Sequence, residues 1–332
     1  MSATDIDGRP PRISSADGQL PEVSMRVFVT GASGWIGRAV VPELIAAGHE
    51  VTGLGRSDAS AKALQDAGAE VRLGSLDDLA TLHDAAASSD GVIHLAFKHD
   101  LAFTGDFAGA ADADRQAIET FGEALAGTGK PLVIASGLLG LTPGRVATEH
   151  DGLVAADGDR EGPVSGPEQR LANAQLTLAL AGRGVRSSIV RLPPTCHGNG
   201  DNGFMTTAIG FAREKGAAAY VGDGANRWPA VHRDDAAHLF RLAIESAPAG
   251  SALHAVGDEG VPIREVAEVF AAHLGVPAVS VTPGQAGEYV GFLGGFWGLD
   301  SPASAQITRE LLGWEPTRPG LIADLEEGHY FA

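Results

Sequence analysis

The stretch RVFVTGASGWIGRAV, residues 26–40, opens as a β-branched apolar run, breaks into glycines at 31, 34 and 37, and then turns helical. RVFVT has the pattern of a buried strand, and RAVVPELIAAG that of a helix with Gly48 as its C-cap. The same alternation returns outward from it. EVTGLGR reads as a second strand, followed by AEVRLGS, a helix over 79–87, GVIHLA, a helix over 112–126, and PLVIAS. Regular strand and helix units of this kind predict an α/β fold with a parallel sheet wound on both faces.

In such a sheet the first strand-to-helix turn lies at the carboxyl edge, where amides at a helix N-terminus can receive a pyrophosphate. Gly31 allows the tight turn, Gly34 lets a phosphate approach the backbone, and Gly37 lets the helix pack on the sheet; Ser33, Trp35 and Ile36 complete the loop. Their place in a βαβ unit points to dinucleotide binding by a Rossmann-type, doubly wound domain, with a purely structural glycine turn as the alternative. At the end of the second strand LGRSD offers Arg56 and Ser57, a cation and a hydroxyl suited to a 2′-phosphate, which favours NADP(H). On the other reading Arg56 is a solvated loop cation and Asp58 takes the ribose. Leu76 is placed beside the adenine, and Leu95 with Ala96 beneath the cofactor, although both leucines suit plain core equally well.

A chain of 332 residues with 44% hydrophobic content can form a cofactor domain plus a lobe. Its 42 acidic against 24 basic residues give a net charge of −18, which repels nucleic-acid phosphates and anionic membrane surfaces. Neither is expected as a partner. Cys196, the only cysteine, permits no intrachain disulfide and no cysteine-based zinc site, and no apolar run approaches the roughly 20 residues needed to cross a bilayer. The expected location is cytoplasmic. Residues 1–24 are rich in Asp, Ser, Gly and Pro and read as a disordered leader. No His-x-x-x-His spacing occurs, so no metal is expected.

Together with VIHLA, VIASG, VRLPPTCHGNGD and WPAVHRDDAAHLF, the turn TGASGWIG resembles the extended short-chain dehydrogenase/reductase superfamily, the group containing sugar-nucleotide epimerases and dihydroflavonol reductases. The resemblance runs from about Met25 to the C-terminus. It implies an NADP-binding domain over 25–195, to which 225–256 returns, and a smaller C-terminal substrate lobe from 196–224 and 257–332, with a cleft between them. It also implies a Tyr-x-x-x-Lys pair opening the helix after the fifth strand, and a Ser or Thr that polarises the carbonyl. The sequence there is EGPVSGPEQRLANAQ, in which Val164 or a neighbour stands for the tyrosine and Glu168 falls near the lysine position. None of Tyr220, Tyr289 and Tyr330 starts a helix at that edge, so the chain resembles the atypical members that lack the motif.

Other groups are therefore candidates for the chemistry. Ser136 ends the fifth strand, although the family's catalytic serine aligns with Gly137, which would leave Ser136 a cofactor contact. Lys98 and His99 follow HLAF at the cleft mouth; Lys98 suits a replacement cation and His99 a substrate contact, with a solvated loop pair as the alternative. His197, after the sixth strand, is the titratable side chain best suited to replace the tyrosine, and a structural histidine is the alternative. The resemblance places Pro193 over the nicotinamide carboxamide and reads His232 and Asp235 as a hinge or helix cap. Trp228 and Phe292 are candidate substrate contacts, the latter within the apolar GEYVGFLGGFWGL, which suits a hydrophobic pocket, a homodimer seam or lobe core.

Three functions fit these residues. The first is an NADPH-dependent reductase of a small hydrophobic carbonyl or imine, because the lobe lacks the cationic cluster that a sugar-nucleotide diphosphate would want. The second is a non-catalytic NADP-binding regulator similar to the NmrA-like sensors. The third is an epimerase or isomerase with a tightly held cofactor.

Overall fold

The computed structural model describes residues 24–153 and 166–332. Val164 and all of the leader before Ser24 lie outside them. The strands are β1 Arg26–Thr30, β2 Glu50–Gly55, β3 Glu70–Leu73, β4 Gly91–His94, β5 Pro131–Gly137, β6 Arg186–Leu192, β7 Thr195–His197, β8 Ala218–Val221, β9 Arg227–His232, β10 Ser251–His254, β11 Asp258–Pro262 and β12 Ala278–Val281. The helices are α1 Gly37–Ala46, α2 Asp58–Asp66, α3 Leu79–Ser88, α4 His99–Phe103, α5 Phe107–Leu125, α6 Gly166–Ala179, α7 Phe204–Lys215, α8 Arg233–Ser246, α9 Ile263–Leu274, α10 Ala286–Val290, α11 Gln306–Leu312 and α12 Leu321–Glu326.

Among the described residues, seven strands form one sheet in the order β10-β6-β5-β4-β1-β2-β3, every pairing parallel. The apolar runs of the sequence are explained by alternation. Val27 and Val29 of β1 face a core shared with Val40 and Leu44 of α1 and Phe240 and Ile244 of α8. Phe28 faces the other core, with Leu82 of α3 and Ile118 and Phe121 of α5. Both faces of each central strand are thus covered, so an apolar residue is wanted at every position.

After β6 the consecutive Pro193 and Pro194 cannot donate to a ladder, and the chain leaves the sheet. The smaller lobe holds β7 with β9 and β11, β8 with β12, and a core built on Trp228, Phe270 and Trp297. Of the stretch 225–256, α8 and β10 pack with the main sheet, whereas β9 pairs with β7 and β11.

Candidate cofactor and substrate site

The strand order reverses where β1 lies between β4 and β2, and a parallel sheet opens a crevice at the carboxyl ends of the strands at such a point. The turn after β1 occupies it. Gly31 has φ +67, and a Cβ there would lie 2.7 Å from the Ala96 nitrogen and 2.8 Å from the Leu95 carbonyl carbon. A Cβ on Gly37 would lie 2.3 Å from the Gly31 oxygen. The chain leaving β4 therefore closes directly on the turn, and only hydrogen side chains fit. Gly34 N–H donates to the Gly31 carbonyl at 2.9 Å, which tightens the loop ahead of α1. This compact glycine cradle suits a pyrophosphate, so the residues present fit a dinucleotide.

The Trp35 side chain is turned away from the glycine turn. Its indole N–H donates to the Cys196 carbonyl at 2.7 Å, and the Arg233 guanidinium lies 4.2 Å over the ring. Those partners turn it toward β7, so it joins the cofactor turn to the lobe. Ile36 is the N-cap residue of α1 and packs partly buried against the core, and the Ser33 carbonyl accepts from Arg38.

At the far end of the crevice Arg56 is exposed, with Asp100 3.6 Å away. Ser57 is the N-cap of α2, its hydroxyl accepting from Ser60 N–H in a capping box, so its oxygen already has a structural duty. Asp58, the rival for the ribose, is exposed in the first turn of α2. Lys98 is not a free cation either, because its Nζ lies 2.6 Å from Asp77. Leu76 is buried with Leu54 and Leu82, as the core reading had it.

Where β5 ends, Ser136 is buried and Gly137 is exposed, with nothing within 4 Å of a Cβ built on it. Beside this open end stands a group the sequence reading did not single out. The guanidinium of Arg170, from the first turns of α6, lies 4.0 Å over the Phe97 ring, and Phe97 in turn meets His99 at 5.1 Å. Burial and the Arg170 charge lower the pKa of His99, so it is neutral at pH 7. Behind them runs a buried polar chain: Thr30 Oγ1 to His94 Nδ1 at 2.6 Å, His94 Nε2 to Asp114 at 3.1 Å, and Asn173 Nδ2 to Asp114 at 2.8 Å. Burial opposes the charge on Asp114, but His94, Arg170 and Asn173 outweigh it and hold its pKa below the usual carboxylate value. The signals available in sequence were a histidine inside an apolar strand and Arg170 with Asn173 three residues apart on one helix.

In the lobe, two expectations need correction. His197 has no exposed surface, and its Nδ1 pairs with Asp324 at 2.9 Å. Its neighbours include His232, ring to ring at 5.5 Å, and a hollow of about 130 Å³ formed with Asp235, Asp258 and the 316–320 segment, none of which belongs to the ends of β1 to β5. It is the structural histidine of the alternative reading, since a proton donor must reach the substrate. Trp228 is 1% exposed and donates to the Leu299 carbonyl at 3.1 Å, so it is lobe core, not a cleft surface. Phe292 is 54% exposed, next to Phe204 and Phe296. Pro193 is buried, with its carbonyl 3.5 Å from the Cys196 sulfur. His232 caps α8, accepting from Asp234 N–H, and Asp235 accepts from the amides of Thr317 and Arg318, which ties the C-terminal segment to α8. Among the described residues, Asp324, Glu327 and His329 bring one ligand atom each within 4.8 Å of the others, a grouping that the search for His-x-x-x-His could not find.

Residues 31–154 match the NAD(P)H-binding family. An uncharacterized protein of Schizosaccharomyces pombe is 45% identical over 308 residues, which span 92% of this chain and 100% of that protein. This chain belongs to the extended short-chain dehydrogenase/reductase family. More distant members carry reductase names. A Stigmatella aurantiaca 4-hydroxy-2-methyl-3-oxo-4-farnesyl-3,4-dihydroquinoline-1-oxide ketoreductase is 28% identical over 81% of this chain and 80% of its own. A 2-alkyl-3-oxoalkanoate reductase of Stenotrophomonas maltophilia is 27% identical over 77% of each. The fold is also that of the Thermotoga maritima UDP-glucose 4-epimerase, with TM-score 0.71 at 19% identity over 92% of this chain and 98% of that one. Like them this protein is an α/β chain with an NAD(P)H-binding domain, and among the described residues no helix is long and apolar enough to cross a membrane.

Proposed function

We propose that this protein is an NADPH-dependent reductase of a small hydrophobic carbonyl or imine compound. The observation that carries the reading is the apolar wall beside the open end of β5. Leu139, two residues beyond Gly137, packs against the lobe core together with Phe204 and Phe296. Phe292 extends that wall, 6.4 Å from each of those two rings. The reductase names of the distant relatives support the same reaction class.

The turn from Gly31 to Gly37 would hold the pyrophosphate, and Arg56 the 2′-phosphate. The Arg56 pair with Asp100 is long and solvent-exposed, and pairs of that kind contribute little, so a phosphate can take the guanidinium over. The bound cofactor supplies hydride. Ser136 and water at the open end of β5 orient the carbonyl and deliver its proton, since His197 is enclosed and His99 is neutral.

Titrating the protein with NADPH and NADH by fluorescence, and following NADPH absorbance with a panel of apolar ketones, aldehydes and imines, tests both halves. NADPH should bind more tightly, and Arg56→Ala should weaken it about 10- to 100-fold while leaving NADH alone, as loss of a charge-assisted bond predicts. Tight NADPH binding with no consumption across the panel would favour the non-catalytic regulator.

A further inference from the structure

Of the cations Arg56, Lys98 and Arg170 among the described residues, Arg170 differs from the other two. Arg56 has Asp100 and Lys98 has Asp77 as ion-pair partners. Arg170 has no carboxylate within 4.0 Å among the described residues. Asp114 acts on it at longer range, and both oxygens of Asp114 are already engaged, one by His94 and the other by Asn173. Burial lowers the pKa of Arg170, yet a guanidinium keeps its proton in a protein. Arg170 is half-buried, and a partly desolvated charge with no close counter-charge is one that an anionic ligand can complete.

Its placement points the charge at the crevice. Asn173, Ala174 and Thr177 follow Arg170 at helical spacing and are buried, so Arg170 shares the inward face of α6. Its end lies over Phe97, the residue after Ala96, whose backbone closes on Gly31. Stacking on Phe97 uses the flat face of the guanidinium and fixes its plane, and leaves the N–H edge for a bidentate partner. With His99 neutral beside it, this is a single positive group in a chain of net charge −18, so it selects one anionic group instead of attracting anions generally.

We propose that Arg170 anchors a carboxylate of the substrate, so that the compound reduced is an oxo acid with an apolar remainder. This rests on the reductase reading above and names the substrate class for the same site.

The test pairs aromatic and medium-chain oxo acids with their methyl esters as substrates of the NADPH-loaded protein. The wild type should prefer acid over ester, and Arg170→Met, which keeps an unbranched stem over Phe97 without the charge, should lower the acid-to-ester ratio of kcat/KM about 10- to 100-fold. Most of that loss should lie in KM, with the NADPH Kd within about twofold of wild type. Where Arg170→Met does not fold, Arg170→Lys keeps the charge without the fork and should retain part of the preference. A second readout is independent of turnover: the corresponding hydroxy acids should raise the Tm of the NADPH-loaded wild type and not of the variant. Equal use of acid and ester by the wild type overturns the anchor and leaves the reductase standing. An equal loss for acid and ester together with weakened NADPH binding makes Arg170 a cofactor contact and also overturns it. Stabilisation by hydroxy acids that depends on Arg170, with no reduction of any oxo compound, upholds the anchor and removes the reductase.

Discussion

The glycine turn after β1 and the rim formed by α6, the end of β5 and the lobe are made by different means. The turn is built from backbone: Gly31 against Leu95 and Ala96, and Gly37 against Gly31. The rim is built from side chains brought in by distant segments: Arg170 on Phe97, Leu139 on the lobe core, Phe292 beside Phe204. A backbone device admits almost no change of residue, whereas a side-chain device can be rewritten one position at a time. One part of the crevice can thus keep a common cofactor while the other takes a different substrate.

The sharpest way to break this comparison is to place the same methyl group on both sides. In Gly37→Ala the new Cβ falls on the Gly31 oxygen at 2.3 Å, so the turn must open, and NADPH affinity should fall on the order of 100-fold or more. Gly137→Ala meets nothing within 4 Å and should change stability by no more than about 0.5 kcal/mol. Fluorescence titration and thermal melts of the two variants decide the matter; similar outcomes would mean that the turn is not the constrained half.

Two aromatic residues sharpen it next. Trp228 and Phe292 are both candidate substrate contacts in the sequence, but Trp228 is 1% exposed and Phe292 54%. Trp228→Ala should destabilise by about 3 to 5 kcal/mol through the cavity it leaves, measured by denaturant unfolding. Phe292→Ala should move unfolding by less than about 1 kcal/mol and instead raise KM for the bulkier apolar substrates.

That pair shows why legibility stopped where it did. The sheet, its two covered faces and the glycine turn follow from local patterns: alternation between strand and helix, glycines at a fixed offset, and a helix stop at Gly48, which has φ +85 and follows the C-cap Ala47. The rim depends on which residues meet from far apart in the chain. Nothing near His197 announces Asp324 as its partner, 127 residues away, and nothing near Trp35 announces the Cys196 carbonyl. Arg170 looks like any charge on a polar helix until Phe97 is seen beneath it. Even the leucines divide on tertiary grounds, Leu76 going into the core while the backbone of Leu95 backs the turn.

A smaller effect than the loss of Trp228 concerns the pair that removed His197 from the chemistry. Burial raises the pKa of Asp324, but the His197 hydrogen bond and the charges of His197, His329 and His232 prevail, and the pKa lies below the ordinary value. A carboxyl whose pKa is lower folded than unfolded contributes stability above its unfolded pKa of about 4, and that contribution is lost as pH falls through the lower folded value. Asp324→Asn keeps the shape without the charge, so it should cost on the order of 1 to 3 kcal/mol at pH 7. The gap to wild type should begin to narrow as pH drops below about 4 and close as pH falls through the lower folded value, where the native carboxyl is protonated as well. A gap that stays constant down to about pH 2 would show that packing, not charge, joins the two residues. The same variant tests the division of labour. If His197 only braces the lobe, NADPH affinity and the pH dependence of kcat should both survive in Asp324→Asn, because the hydrogen-bond partner of His197 is removed while the cofactor turn is left intact. A shifted kcat profile in a folded Asp324→Asn protein would return His197 to the reaction.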